Sequence, residues 1–419
     1  AFERIQAMKW EFATYPEFIE EYRTYHYDEC SSCGANCELG ESDVECVIED
    51  KKMYFQQLLV LKCSGCGKTY LPEHSKSMID GAYRMLRSNH QNIGKFSRKP
   101  GYQEKFDYCK SLGFIYDYRD YYNIPGLCYD EEHSRKGFLT PVYFKKEALA
   151  YFLAIPTYVV DIFSESYGYL EKVNSQGEAE WQVPFGFNSN GKWVMWLGDI
   201  DTIDEQTQAI IRAFNVESDH LLVDSEFYQA QMKCIFSNPI IERRILNNKK
   251  AFIANIEKKY GLDISHLTEE CRIHEQHIGR PVVFTEQTVS EVINAYDKIL
   301  IEGFSIDKMR DLYEIFYSEP ERDRQYRNWK SIKMIQAILV KLSQNISNID
   351  VALTMSPLYI LHDYRIYFDH LLAESDREDT KQHILNTLGV QSFNDQETIY
   401  YEEIRRLDKL FDYLVVLSK

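Results

Sequence analysis

No stretch of this 419-residue chain approaches the roughly 18 consecutive apolar residues of a membrane-spanning helix, so no membrane segment is expected. The opening AFERIQAMKWEF is charged from the start and lacks an apolar core, which argues against a signal peptide and for a cytoplasmic chain. Internal repeats, low-complexity tracts and long heptad runs are missing. So are a nucleophile elbow and a dinucleotide-binding glycine pattern. GCGKT at 65–69 mimics the end of a phosphate-binding loop, but the first Gly of GxxxxGKT would fall at Lys62, and nucleotide binding there is excluded. Positive charge is also in short supply. The chain holds 48 Lys and Arg against 65 Asp and Glu, a net −17 that opposes indiscriminate binding to phosphates.

What is present fits a globular protein of two or three domains, with 44 % hydrophobic residues available for a sizeable core. The 31 tyrosines suit half-buried positions where the hydroxyl finds a partner. Acid is unevenly spread: residues 1–80 carry a net −7, whereas residues 81–105 carry a net +5. Within that second stretch Arg84, Arg87, Lys95, Arg98 and Lys99 form a candidate contact for RNA or DNA, with Lys105 beside them. The alternative is a merely solvated surface.

Six of the ten cysteines fall between residues 30 and 66, while Cys109, Cys128, Cys234 and Cys271 are scattered, a pattern of metal binding plus core thiols. Cys30-Ser-Ser-Cys33-Gly34 and Cys63-Ser-Gly-Cys66-Gly67 are two copies of one device. Each sets two thiolates to grip one side of a tetrahedral ion, and each Gly tolerates the left-handed backbone that aims amides at the sulfurs. The segment resembles the zinc-ribbon family, which implies a structural Zn2+ on Cys30, Cys33, Cys63 and Cys66. Ribbons of this kind bind nucleic acid or protein. Cys37 and Cys46 are spare, either ordinary thiols or substitutes for a knuckle ligand. Cys271-Arg-Ile-His274-Glu-Gln-His277 lacks the HExxH spacing, and its histidines read as surface or core residues.

Pattern and punctuation predict a helix over 2–27, a hairpin over 44–62 turning at Glu-Asp-Lys-Lys, and helices over 76–90 and 102–112. Pro125-Gly126 breaks the chain. PVYFKKEALAYFLA then reads as a short extended lead-in and a helix. Strands are expected over 158–163, 180–185 and 192–197, with Asn188–Gly191 turning between the last two. A helix over 239–260 should stop at Gly261. From about 285 the chain reads as wholly helical, with Thr288 and Glu291 as a capping box and helices near 305–317, 326–344, 357–373, 379–388 and 396–417. The last but two of these would start at Ser356 as N-cap with Pro357 in its first turn. Asp199, Asp201 and Asp204 either bind a divalent ion or cap the next helix, the second being the commoner use.

The fold class expected is α+β, mostly helical: helix plus zinc ribbon over 1–75, a mixed α+β domain over 76–284 and a helical bundle over 285–419. YFKKE at 143–147, Gly168-Tyr-Leu170 and GKWVMWLGDI at 191–200 resemble a segment of uncharacterised bacterial proteins, which brings no activity with it. Arg365 sits on the apolar stripe of Leu358, Leu361, Phe368 and Leu372, where a charge costs free energy unless a partner meets it. With His370 it matches the R-x4–6-H spacing of HEPN ribonucleases, and the last 135 residues resemble that family in size and helical character. The resemblance implies a homodimer through the C-terminal helices, with Arg365 steadying the scissile phosphate and His370 moving a proton from the 2′-hydroxyl. Ile366 departs from the polar residue often found there, and the same spacing recurs at Arg84/His90, Arg272/His277 and Arg377/His383. Two functions follow: a metal-independent RNA-cleaving protein of bacterial stress or anti-phage defence, or a non-enzymatic recognition subunit that docks on nucleic acid or a protein partner.

Overall fold

The computed structural model describes residues 8–24, 28–97, 103–124, 136–275, 278–344 and 349–419. Arg98, Lys99, the Pro125-Gly126 break, Cys128 and His277 lie outside the described residues. The chain forms two compact units, Ala1–Ser237 and Asn238–Lys419. Sheets lie in the N-terminal and middle regions and helices at the C-terminus, an α+β architecture as the sequence implies. No helix among the described residues is long and apolar enough to cross a membrane.

The first sheet holds β1 (Met8–Phe12), β2 (Cys37–Ile48), β3 (Lys51–Cys63), β4 (Thr69–Tyr70) and β5 (Ile93–Ser97), with α1 (Tyr15–Arg23) and α2 (Glu73–Ser88) between its strands. The hairpin is longer than the apolar pattern suggested and turns at Glu49-Asp50, where Glu49 takes the left-handed φ of +55°. β4 and β5 share the outer edge of β3, β4 at Leu61 and Lys62, β5 at Lys52 to Gln56. In the gap between them Ser75 Oγ donates to Leu59 O (2.6 Å) and Arg119 Nη1 donates to Gln57 O (3.2 Å). α2 buries Ile79, Ala82, Tyr83 and Leu86 against Met53, Phe55 and Val60. The single helix expected over 2–27 is not formed. Residues 8–12 pair with β2 instead, and α1 starts only after Thr14, whose side chain accepts from Glu17 N, with Pro16 in its first turn.

The second sheet is wholly antiparallel. After α3 (Tyr118–Tyr122) come β6 (Pro141–Phe144), α4 (Ala148–Leu153), β7 (Tyr158–Ile162), β8 (Tyr167–Val173), β9 (Ala179–Phe187), β10 (Trp193–Trp196), α5 (Leu197–Thr202), α6 (Glu205–Arg212), β11 (Asn215–Val216) and α7 (Glu226–Lys233), with strand order β11-β6-β10-β9-β8-β7. β6 and β10 are apolar on both faces because both are covered. Trp193 packs against Phe144, Phe152 and Phe185, and Trp196 against Phe227. β8 was missed in the sequence, its alternating burial being diluted by Gly168 and by half-buried tyrosines. The helix expected over 102–112 is absent from residues 103–112, and Cys109, at φ +49°, would break it.

The second unit is helical: α8 (Ile241–Tyr260), α9 (Thr268–Glu275), α10 (Glu286–Asp297) running into a π turn at Lys298–Glu302, α11 (Ile306–Phe316), α12 (Ser331–Leu342), α13 (Val351–Asp369), α14 (Glu374–Leu388) and α15 (Gln396–Ser418). α8 stops at Gly261, φ +71°, as expected. Two starts differ from expectation. Thr285 rather than Thr288 is the N-cap of α10, with Thr288 as the reciprocal member of its capping box. α13 begins at Asp350, so Pro357 lies inside it. Pro357 has no N–H for the carbonyl of Leu353, and Ser356 Oγ donates to that oxygen instead (2.7 Å).

Glu403 of α15 is fully buried, and neither carboxylate oxygen has a hydrogen-bond partner among the described residues. Burial pushes its pKa well above the usual carboxylate range. The unfolded chain gives up this proton near the ordinary value while the folded chain keeps it, so the cost to folding grows as pH rises past that value. Glu403→Leu should therefore raise stability by about 1–3 kcal/mol at pH 7, less near pH 4, as read from urea midpoints.

Candidate metal centre

β2 begins at Cys37 and β3 ends at Cys63, and these two residues are paired across the hairpin. Its open end therefore brings together the loop before β2, carrying Cys30 and Cys33, and the loop after β3, carrying Cys66. The two knuckles are built alike. Cys30 N and Cys63 N donate to Ala35 O and Lys68 O (both 2.8 Å), while Gly34 N and Gly67 N return to Cys30 O and Cys63 O. Gly34 and Gly67 share φ +72°, the left-handed conformation their position requires. Amides of Ser32, Gly65 and Cys66 point at sulfur, Ser32 at Cys30 and the other two at Cys63. A Cβ on Gly65 would come within 2.8 Å of Ala35 Cβ and 3.3 Å of Cys33 Sγ, so the turn closes over the site too tightly for a side chain.

The four sulfurs lie within 4.8 Å of one another, a group that could hold a metal ion. Cys30 Sγ is 3.6 Å from Cys66 Sγ, and Cys33 Sγ is 3.4 Å from Cys63 Sγ, far longer than a disulfide of about 2.05 Å. Sulfurs about 2.3 Å from a tetrahedral ion would stand about 3.8 Å apart, close to this spacing. Their acidities show what the cluster needs. The Tyr70 hydroxyl (3.0 Å) and nearby amides draw the Cys30 thiol down to about 5 against burial, and the Cys66 and Gly65 amides lower Cys63. At Cys33 the Ala35 amide favours the thiolate, but the surrounding sulfurs and burial outweigh it and push the pKa up to about 11. The thiolate form is favoured at Cys30 and Cys63 and opposed at Cys33 by the sulfurs around it. A dication relieves that conflict, so the donor set fits a metal that prefers thiolates.

Cys37 and Cys46 stay outside the cluster. Both are buried, and burial pushes each thiol up to about 12. Of the aspartates in the middle segment, Asp204 caps α6 by accepting from Thr207 N and Asp201 accepts from Cys109 N, so they are used separately. Arg84, Arg87 and Lys95 are exposed, on α2 and β5. These elements touch, since a Cβ on Gly94 would lie 3.0 Å from Leu86. Arg84 also pairs with Asp80 (3.0 Å).

Arg365 has found partners the sequence did not single out. Its Nη1 donates to Glu302 Oε1 (2.7 Å) and to the fully buried Asp297, which also receives His362 Nδ1 (3.2 Å). His370 is exposed and caps the end of α13. Among the described residues no hydrogen bond or ion pair joins it to Arg365, and five positions along a helix put two side chains about 140° apart.

A second cluster went unnoticed in the sequence because its members come from distant segments. Glu41 of β2, Asp117 before α3 and His220 after β11 place ligand atoms within 4.8 Å. Here a cation is already built in. Arg119 Nη2 donates to Asp117 Oδ2 (2.6 Å) and to Glu41 Oε1 (2.5 Å). His220 Nδ1–H donates to Asp120 Oδ1 (2.6 Å), which fixes its tautomer, and Ser218 Oγ donates to Asp120 Oδ2 (2.6 Å). Charge balance makes this a clamp between the first sheet and the loop after β11.

Compared with known protein families, with curated proteins and with solved structures, the chain shows no match.

Burial opposes the charge on His220, but Asp120 and Asp117 outweigh it, and its pKa is raised above the ordinary 6.5. The stabilisation is then complete below about pH 6.5 and fades as pH rises through the raised value. Wild type should lose stability over that rise, whereas His220→Gln should start lower and show a flatter profile in urea unfolding.

Proposed function

We propose that Cys30, Cys33, Cys63 and Cys66 hold a structural zinc ion, and that the unit it staples serves as a non-enzymatic recognition subunit that docks on nucleic acid. The observation that carries this reading is the closed donor set. Four thiolates fill a tetrahedral shell and leave no position for substrate, so the ion's work is to hold the two knuckles together. Exposed Arg84, Arg87 and Lys95, on two elements packed against β3, are the cations best placed to meet phosphates.

A metal-independent RNA-cleaving dimer built on Arg365 and His370, acting in bacterial stress or anti-phage defence, draws less support. The Arg365 guanidinium is engaged by two carboxylates, and His370 is the C-cap of α13, with no bond to Arg365 among the described residues.

Elemental analysis of the purified chain should return one zinc per molecule, and Cys63→Ser should abolish or sharply lower it; metal-free native protein would overturn the zinc reading. Filter binding to RNA and duplex DNA across a salt series tests the second half. Affinity should fall with salt, and Arg84→Ala, Arg87→Ala and Lys95→Ala should each reduce the logarithmic slope by about 0.7–0.9. A flat response would exclude docking through phosphates.

A further inference from the structure

We propose that the second unit binds a phosphorylated sugar, free or as part of a nucleotide, in the cavity between the π turn at Lys298–Glu302 and the N-terminus of α12. This cavity encloses about 990 Å³, at the upper end of the range for small-molecule sites. Its two ends offer opposite chemistry.

The first end attracts an anion. The amides of Ser331, Ile332 and Lys333 open α12 and find no acceptor among the described residues, and the side chain of the N-cap, Lys330, has only donors to offer. The first bond of the helix runs from Met334 N to Lys330 O. Ser331 lines the cavity and is 95 % buried, yet its hydroxyl makes no hydrogen bond among the described residues. Its oxygen is open to the cavity and is there to bond whatever enters. Lys330 and Lys333 stand on either side of it, exposed and without a carboxylate partner among the described residues, Lys333 lying 4.9 Å over the Trp329 ring. Three amides, one hydroxyl and two ammonium groups, all from residues 330–333 on the cavity lining, suit a phosphoryl group.

The other end accepts. In an α-helix Asp297 and Glu302, five residues apart, would point about 140° from each other. The π turn between them brings both carboxylates to Arg365. Arg365 neutralises part of that charge and fixes the two acids. Glu302 remains half-exposed, as does His362, whose Nδ1 is held by Asp297 while Nε2 makes no hydrogen bond among the described residues. The Glu302 carboxylate takes hydrogen bonds from hydroxyls, and His362 Nε2 adds a second polar contact. Trp329, on the cavity lining next to Lys330, adds apolar surface for the C–H groups of a sugar, one side of its ring being taken by the Lys333 ammonium. A bare phosphate would leave the accepting end unmet, and a neutral sugar would leave the α12 amides and Ser331 unmet. One molecule with both parts satisfies both.

Isothermal titration of the zinc-loaded full chain with inorganic phosphate, ribose, ribose 5-phosphate and adenosine 5′-monophosphate tests this. Both phosphorylated sugars should bind, phosphate more weakly, and ribose not at all. Lys330→Ala/Lys333→Ala should weaken ribose 5-phosphate by about a hundredfold, roughly tenfold for each charge-assisted contact. Both lysines are exposed, and an unchanged melting curve will show that the fold is kept. Glu302→Gln should weaken ribose 5-phosphate but leave phosphate unaffected. Equal affinity for the two phosphorylated probes identifies a free sugar phosphate, and tighter binding of the adenylate identifies a nucleotide. The proposal is overturned if no phosphorylated probe binds below about 10 mM, if ribose binds as well as its phosphate, or if the double lysine variant binds unchanged.

Discussion

A two-stranded hairpin is weakest at its open end, where the chain leaves in two directions and nothing opposes fraying. The first unit places its four-sulfur cluster there, just beyond the Cys37–Cys63 pair. Two knuckles of the same design meet across the gap, and an ion held between them would close a loop of more than thirty residues through a few atoms. Further contacts of the unit start from the same end of β2. Glu38, one residue into β2, accepts from the amides of Leu222, Val223 and Asp224, and Glu41 reaches Arg119. Both contacts require β2 to keep its position on β3.

Unlike Glu403, most of the buried carboxylates described above are matched by a cation, and two arginines illustrate how. Arg119 is held between Asp117 and Glu41, and Arg365 between Asp297 and Glu302. In each case a histidine shares the network, His220 through Asp120 and His362 directly on Asp297. Removing one member of such a set strands a charge away from water, at a cost far larger than any surface pair returns. Against this pairing, the lysines at the start of α12, which have no carboxylate partner among the described residues, mark a different use of charge.

The parts legible in the sequence were those written in local pattern. CxxCG twice, an apolar run folded around Glu49-Asp50, and Gly261 after a periodic stretch each carry their geometry in a few adjacent residues. The parts that misled were decided by distant contacts. Residues 8–12 look helical alone and become a strand because β2 offers an edge in register with them. Ser356-Pro357 has every mark of a helix start, yet Asp350 lies upstream and Ser356 repairs the bond that Pro357 cannot make. Arg365 was recognisable as a charge needing a partner, but nothing in the spacing pointed to a π turn 63 residues earlier. The Glu41–Asp117–Arg119–His220 set joins three segments that no local window spans.

The outer edge of β3 has one further meaning. β4 and β5 cover its two ends, and among the described residues no strand pairs with the short stretch between them, the kind of edge onto which a foreign strand adds. The hydroxyl of Ser75 and the guanidinium of Arg119 already occupy Leu59 O and Gln57 O, the acceptors such a strand would use. The first sheet is thereby guarded against growth at these two acceptors by side chains in place of backbone.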